Sequence, residues 1–448
     1  PAPSLITSAP MTTEFPPTDK PEAGYLLKLE LENIRCFADK QTLDLCAPGT
    51  TDRPARWTII LGENGTGKTT LLQALIGPLP DRWTDEASPT ADRIFNSPGV
   101  PGRIVDEMRR KGVEAGWLEV TASSFADPFG LNIDEDGTAS SALWREVLGR
   151  MPPILAYGAL RRVNELPQRE LQASRGYETL FSEVSGLPDP AEWLREMYAL
   201  TTLPGEEERA ATRYERVVSL LREERLFPLV RDVKVVQQAS GAVEALFVTD
   251  FGDVTIHELS AGYRAMSAWM VDVAAHMFNA YPESATPLNE AAIVIVDEFD
   301  LHLHPIWQRE AIEFLESHFP GVQFIVTAHS PLVVQSVPGA NVVVLEKVGD
   351  HVEIENNPVS VETWRVDQIL TSELFGEIPS RAPAVDALMT ERRELLGKRT
   401  LTGGDKARLK VLEAALSDVP HAESAEQIEA QRLVRELAEE IKRAKGQP

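Results

Sequence analysis

Residues 57–78 read WTIILGENGTGKTTLLQALIGP. Trp57-Thr58-Ile59-Ile60-Leu61 is a short, apolar, β-rich run, which predicts a buried strand. Thr70 to Leu75 predicts the start of a helix, and Gly77-Pro78 stops it. Between strand and helix, Gly62, four further residues, then Gly67, Lys68 and Thr69 fit the pattern G-x-x-x-x-G-K-[ST]. A strand, a glycine-rich turn and a helix N-terminus aim several backbone N–H groups at one point, where the helix dipole also favours an anion. The expected cradle is Gly62, Glu63, Asn64, Gly65, Thr66, Gly67, Lys68, Thr69 and Thr70. Lys68 is expected to reach the β- and γ-phosphates of a nucleotide, and the Thr69 hydroxyl to hold Mg²⁺.

A second run, Ala291 to Val296, is apolar throughout, as a parallel strand covered on both faces should be. It ends in Asp297-Glu298. Ligands of open α/β sheets gather at the carboxyl ends of strands, which places Asp297 to bind Mg²⁺ through its water shell. Glu298 points elsewhere and can orient or deprotonate an attacking water. The plainer alternative is an acidic strand end that caps a helix. Phe324 to Thr327 repeats the design and leads to His329, which could hydrogen-bond a γ-phosphate or the attacking water, or be purely structural.

These segments, with Glu258 to Arg264 (ELSAGYR) and Val326 to Pro331 (VTAHSP), resemble those of ABC-type ATPases of the SMC, RecF and OLD group, and not transporters or ring-forming machines. The resemblance implies an α/β fold: a P-loop ABC-type ATPase head that binds ATP and Mg²⁺ and forms a homodimer of heads through ATP. Leu259-Ser260-Ala261-Gly262 would be the signature motif, with Ser260 and Gly262 reaching the γ-phosphate held by the opposite subunit. Ser260 precedes a helix whose apolar positions Met266, Trp269, Met270, Val273, Ala274 and Met277 follow a 3.6-residue period. Ala261 departs from the common pattern, and Arg264 is either an extra phosphate contact or an ordinary surface arginine. Leu301-His302-Leu303-His304 would be the D-loop at the dimer seam; a two-histidine metal site there lacks a third ligand. Asn33-Ile34-Arg35-Cys36-Phe37 resembles the N-F-R-S-F-like opening of the group and places Arg35 near the nucleotide. The usual Q-loop glutamine is missing, with Tyr157 and Arg161 as possible substitutes or, alternatively, a buried tyrosine and a surface arginine.

A net charge of −25 argues against nucleic-acid binding by bulk electrostatics. The clusters Arg109-Arg110-Lys111, Arg161-Arg162 and Arg392-Arg393 read most simply as solvated faces, although a nucleic-acid contact in a dimer groove stays open. Two cysteines, Cys36 and Cys46, fit a reducing cytoplasm and no disulfide scaffold. No run is apolar enough for a membrane span.

The expected layout is a disordered lead-in at 1–24, a P-loop lobe at 25–162, a helical insert at 163–231, a lobe at 232–350 carrying signature and acids, and a helical C-terminal region at 351–448. Asp189-Pro190 should open one helix, and Glu206 to Leu226 should be a second. The tail shows helical patterns near 384–398, 405–416 and 424–444. Its Ile369-Leu370-Thr371-Ser372-Glu373-Leu374-Phe375-Gly376 stretch and charged helices resemble the ATPase subunits of two-gene bacterial defence modules, the PtuA type of the Septu system, whose partner is a separate HNH nuclease. No Toprim acid cluster is evident after Ser330. The expected function is therefore an ATP-hydrolysing regulatory subunit of a defence nuclease complex. The rivals are a RecF-like DNA-repair ATPase and a non-hydrolysing, ATP-gated scaffold.

Overall fold

The computed structural model describes residues 24–77, 108–123, 128–134, 137–140, 151–163, 176–182, 185–237, 243–301, 303–358, 364, 368–369, 383–396, 398 and 402–416. The chain divides into two compact units, Pro1–Glu377 and Ile378–Pro448.

The first unit is organised by a six-stranded sheet. Its members are β3 (Trp57–Gly62), β7 (Ile154–Tyr157), β11 (Ala292–Val296), β12 (Val322–Thr327), β13 (Asn341–Val348) and β14 (His351–Asn356), in the order β14-β13-β3-β12-β11-β7. All neighbours are parallel except the β13–β14 hairpin. Every residue of β11 is buried. That is the outcome expected of an apolar run in a sheet covered on both faces.

The two-residue alternation of the strands sorts their side chains into two cores. Trp57, Ile59 and Leu61 of β3, with Val294 and Val296 of β11, face one. Ile60, Ile293 and Ile295 face the other. Each such side chain, once fully buried, is worth roughly 1.5–3 kcal/mol.

The second core is shared with α1 (Lys68–Ile76), through Leu71, Leu72 and Leu75. It is closed by an antiparallel sheet of β1 (Leu26–Glu32), β2 (Gln41–Asp44), β4 (Gly116–Ala122), β5 (Phe129–Asp134) and β6 (Gly137–Ser140), ordered β2-β1-β4-β5-β6. Leu27-Lys28-Leu29-Glu30-Leu31 alternates apolar and charged residues as a strand does, and in β1 Leu29 and Leu31 are fully buried.

The first core is covered by helices. After the short α2 (Glu178–Phe181), α3 (Pro190–Leu200) opens as predicted, with the Asp189 carboxylate accepting from the Ala191 N–H at 2.9 Å. Such a cap is worth about 1 kcal/mol. The next helix, α4 (Glu207–Leu221), stops short of the expected Leu226. A turn then leads into an unforeseen three-stranded antiparallel sheet of β8 (Val230–Gln237), β9 (Val243–Thr249) and β10 (Gly252–Val254). From it the chain enters α5 (Ala261–Ala280), which buries Met266, Trp269, Met270, Val273, Ala274 and Met277, the predicted stripe. α6 (Pro305–His318) and the short α7 (Pro331–Gln335) complete this face.

Strands from 25–162 and from 232–350 are thus interleaved within one sheet. The region beginning at 351 is not helical throughout, because β14 pairs with β13 there. A β-rich stretch, VVVLEKV, ends at the turn Gly349-Asp350 and folds back on itself. The lead-in at 1–23, residues 370–376 and the 424–444 pattern lie outside the described residues.

The second unit holds α8 (Pro383–Leu396) and α9 (Gly403–Ala415), matching two of the predicted tail helices. Leu388, Leu395, Leu409 and Leu412 pack between them. Thr402 and Asp405 form a reciprocal N-terminal cap on α9, and Arg408 reaches Glu391 through two bonds of 2.7 and 2.8 Å. Among the described residues no helix is long and apolar enough to cross a membrane.

Candidate nucleotide site

The glycine-rich turn closes because two glycines permit it. Gly67 caps α1 in left-handed backbone at φ 84°, and a Cβ there would lie 2.4 Å from the Cys36 Sγ. At Gly62, φ is 153° and a Cβ would meet the Thr66 Oγ1 at 2.7 Å and the Leu345 carbonyl at 2.9 Å. Thr66 tightens the turn by donating its hydroxyl to the Glu63 carbonyl at 2.8 Å. Glu63, Asn64 and Gly65 are exposed.

Lys68 is buried, and its ammonium donates to the carbonyls of Gly62 and Glu63 at 2.8 and 2.9 Å. Burial pulls its pKa down, while Asp297, Glu298 and Asp300 act in the opposite direction. The cation is folded back over the loop, within which the Thr66 N–H donates to the Glu63 carbonyl at 3.4 Å.

Thr70 is buried, and its hydroxyl accepts from Arg35 Nη1 at 3.2 Å. Arg35, in left-handed backbone at φ 42°, also reaches Gln73 Oε1 at 3.3 Å, which fixes it beside the first turn of α1. Arg110 braces this loop by donating to the Cys36 carbonyl, and Arg109 donates to the Val113 and Glu114 carbonyls. Two members of that cluster therefore hold backbone rather than forming a plain solvated face.

The acids meet the loop at the end of β11. Thr69 Oγ1 donates to Asp297 Oδ2 at 2.5 Å, and Thr327 Oγ1 donates to Asp297 Oδ1 at 2.6 Å. Both are short bonds to a charged acceptor. Asp297 is 4% exposed. A hydroxyl and a carboxylate oxygen facing the same point are the hard donors Mg²⁺ takes, with water and substrate oxygens filling its remaining positions. The residues present therefore fit that ion. Among the described residues no group of three or more His, Cys, Asp or Glu could hold a metal by itself.

Glu298 is half-buried in left-handed backbone at φ 48°. Its N–H donates to Thr327 Oγ1 at 2.7 Å. The His329 ring is exposed, and its backbone N–H donates to both carboxylate oxygens of Asp300 at 3.1 and 3.2 Å. Thr327 and Asp300 were not singled out from the sequence. Their signal lies in the sequence: Thr327 is a hydroxyl at the end of a buried strand within VTAHSP, and Asp300 is a third acid two residues after Asp297-Glu298.

Neither proposed Q-loop substitute is free to meet a nucleotide. The Tyr157 hydroxyl is buried and donates to Asp272 Oδ2 at 2.8 Å. Arg161 is not a surface arginine: it is 6% exposed and donates to main-chain carbonyls. His304 accepts from the Ile306 N–H at 3.4 Å as the N-cap of α6, which accounts for it without a metal.

Ser260 and Ala261 stand exposed at the N-terminus of α5, and the Ser260 side chain makes no cap hydrogen bond there. Gly262 is half-buried in the first turn. Ahead of them Thr255 and Glu258 form a reciprocal cap, and the Tyr263 hydroxyl accepts from the Leu229 N–H at 3.2 Å. Arg264 donates to the His257 carbonyl at 3.4 Å. Among the described residues, no hydrogen bond joins 258–264 to the phosphate loop or to 297–301.

Residues 28–77 match a family model described as "AAA domain", and residues 169–335 match one described as "AAA domain, putative AbiEii toxin, Type IV TA system". The chain is 25% identical to the Septu protein PtuA of Bacillus mycoides (strain KBAB4), over 88% of this chain and 50% of that protein. It is 38% identical to the "Retron Vc95 probable ATPase" of Vibrio cholerae serotype O1 biovar El Tor, over 21% of this chain and 19% of that protein. It thus spans about half the length of PtuA, and its match to the retron protein is local. Solved SMC heads also align, one bound to the C-winged helix domain of ScpA with a TM-score of 0.46 and 14% identity, over 75% of this chain and 98% of that one. Over 88% of its length, the chain is similar to a Septu PtuA protein, and parts of it match AAA-domain models.

Proposed function

We propose that this chain is a cytoplasmic, Mg²⁺-dependent ATPase, and that it works as the regulatory subunit of an antiphage complex. Two heads close on two ATP molecules, and a separate nuclease subunit responds to that closure. The observation that carries this reading is the junction of Thr69, Asp297, Thr327 and Glu298, four groups linked by three short hydrogen bonds.

Lys68 leaves the Gly62 and Glu63 carbonyls and turns to the β- and γ-phosphates, where its charge is better used. The N–H groups of the loop and of the α1 N-terminus take the remaining phosphate oxygens. Thr69 and Asp297 would hold Mg²⁺, whose chemistry is to neutralise charge developing on the phosphoryl oxygens. Glu298 then accepts a proton from the attacking water, and His329, exposed beside Asp300, contacts the γ-phosphate or that water. Ser260 and Gly262 act on the nucleotide of the opposite subunit, which accounts for an exposed motif with no hydrogen bond to its own loop. PtuA similarity supports the defence setting and the separate nuclease.

Glu298→Gln tests this. It keeps the shape and removes the base, so ATP binding should persist, turnover should stop, and an ATP-bound dimer should accumulate on size-exclusion chromatography. Unchanged turnover would remove Glu298 from its role. A wild-type chain that binds ATP and never turns it over would favour the scaffold reading.

A further inference from the structure

Arg161 has no part in the reading above, yet its contacts surround Glu298. The chain leaves β7 at Tyr157, passes Gly158 and reaches Arg161 in left-handed backbone at φ 34°. From there Nη1 donates to the Asp297 carbonyl at 2.7 Å. Nη2 donates to the Glu298 carbonyl at 3.0 Å and to the Leu301 carbonyl at 3.4 Å. A guanidinium is planar, with donors fixed in a fork, so it holds the directions of peptide groups as well as supplying charge.

The opposite ends of the same peptide groups are held by Thr327. In the peptide before Glu298, the carbonyl accepts from Arg161 and the N–H donates to Thr327 Oγ1. In the peptide after it, the carbonyl accepts from Arg161 and the Phe299 N–H donates to the Thr327 carbonyl at 2.9 Å. Both peptide planes flanking Glu298 are therefore pinned at both ends. Left-handed backbone at a glutamate is unfavourable by itself and persists only where its surroundings enforce it.

We infer that Arg161 is a positioning residue for ATP hydrolysis: together with Thr327 it fixes the backbone of Glu298 and so aims its carboxylate. This rests on Glu298 acting as the base. The guanidinium is cationic when it does so: burial lowers its pKa to about 10, against the opposing effect of Asp297, Asp300 and Glu298. Lysine at 161 would keep the charge and lose the fork.

The test uses the full chain in four variants: Arg161→Lys, Glu298→Gln, Glu298→Asp, and Arg161→Lys combined with Glu298→Asp. Steady-state ATPase kinetics give kcat and KM, binding of a fluorescent ATP analogue gives affinity, and thermal unfolding reports the fold. Arg161→Lys is expected to fold, to bind the analogue like the wild type, and to lower kcat roughly 10- to 100-fold, the range for a reacting group displaced by about an ångström. Adding Arg161→Lys to Glu298→Asp, whose carboxylate is already displaced, should lower kcat little further, because groups acting through one another are not additive. Wild-type kcat in Arg161→Lys with an inactive Glu298→Gln would overturn this inference alone. So would a full multiplicative loss in the double variant, a fall in affinity matching the fall in rate, or an Arg161→Lys chain that fails to fold. Wild-type turnover in Glu298→Gln would instead defeat the base assignment on which the inference rests.

Discussion

Replacing Thr327 by valine should destabilise the protein by an amount that can be worked out in advance. Thr327 is fully buried, and its hydroxyl makes two bonds, one to Asp297 Oδ1 and one from the Glu298 N–H. Valine matches its shape and offers neither. Losing a hydrogen bond to a charged acceptor costs roughly 1.5–3 kcal/mol, and leaving the N–H unpaired costs roughly 1–3 kcal/mol more. The added methyl returns at most about 0.8 kcal/mol. The expected net loss is therefore roughly 2–5 kcal/mol. Thr327→Ser is the control: it keeps the hydroxyl and loses one methyl, about 1 kcal/mol. Urea titration of both variants, followed by intrinsic fluorescence, measures the difference, since Trp57 and Trp269 lie in the core beside this junction. A valine variant as stable as the serine variant would refute the reasoning.

Three further outcomes are expected. Gly67→Ala should weaken nucleotide binding, measured with a fluorescent ATP analogue, because a Cβ would meet the Cys36 Sγ and the left-handed backbone adds about 1–2 kcal/mol of strain; Cys36→Ala should relieve the clash and leave the strain, so full recovery would contradict the backbone argument. Lys68→Ala should lose nucleotide affinity and Ser260→Arg should lose turnover, while mixing the two should restore partial ATPase activity through one intact composite site; a Ser260→Arg protein that turns over normally as a monomer would exclude the sandwich. Removing residues 381–448 should leave nucleotide affinity unchanged, since phosphate loop, acids and signature all lie within Pro1–Glu377, and should reduce co-purification of a nuclease subunit; lost affinity would contradict the independence of the units.

The parts of this site that could be read from the sequence are those whose physics is local. A strand, a glycine turn and a lysine within twelve residues dictate one another, so the strand, the turn and the helix through Leu75 appear in the structure as expected. The period of Met266 to Met277 likewise needs only its own helix. Arg161 shows the opposite case. Its partners lie 136 to 140 residues away in sequence, and an arginine beside another arginine gives no local sign that it will be buried. Thr327 is hidden for a related reason, since a hydroxyl ending a strand reads as a turn residue until its carboxylate partner is known. The β8–β9 hairpin was missed because Val230 to Gln237 mixes charged and apolar residues beside a helical stretch.

The position of β3 in the central sheet governs when a ribosome can deliver a working site. This strand carries the phosphate loop, yet its two neighbours are β12 and β13, and it pairs with nothing earlier. A nascent chain that has emerged through Leu75 holds a complete phosphate-binding motif on a strand with no hydrogen-bonding partner. Both edges of that strand stay open until Val322 to Val348 has been made. Pairings between segments so distant form late, because the loop between them must be closed first. An interrupted translation product ending before Val322 therefore carries the motif without the sheet that shapes it, and nucleotide competence arises only once the partner strands through Val348 have been made, rather than with the motif.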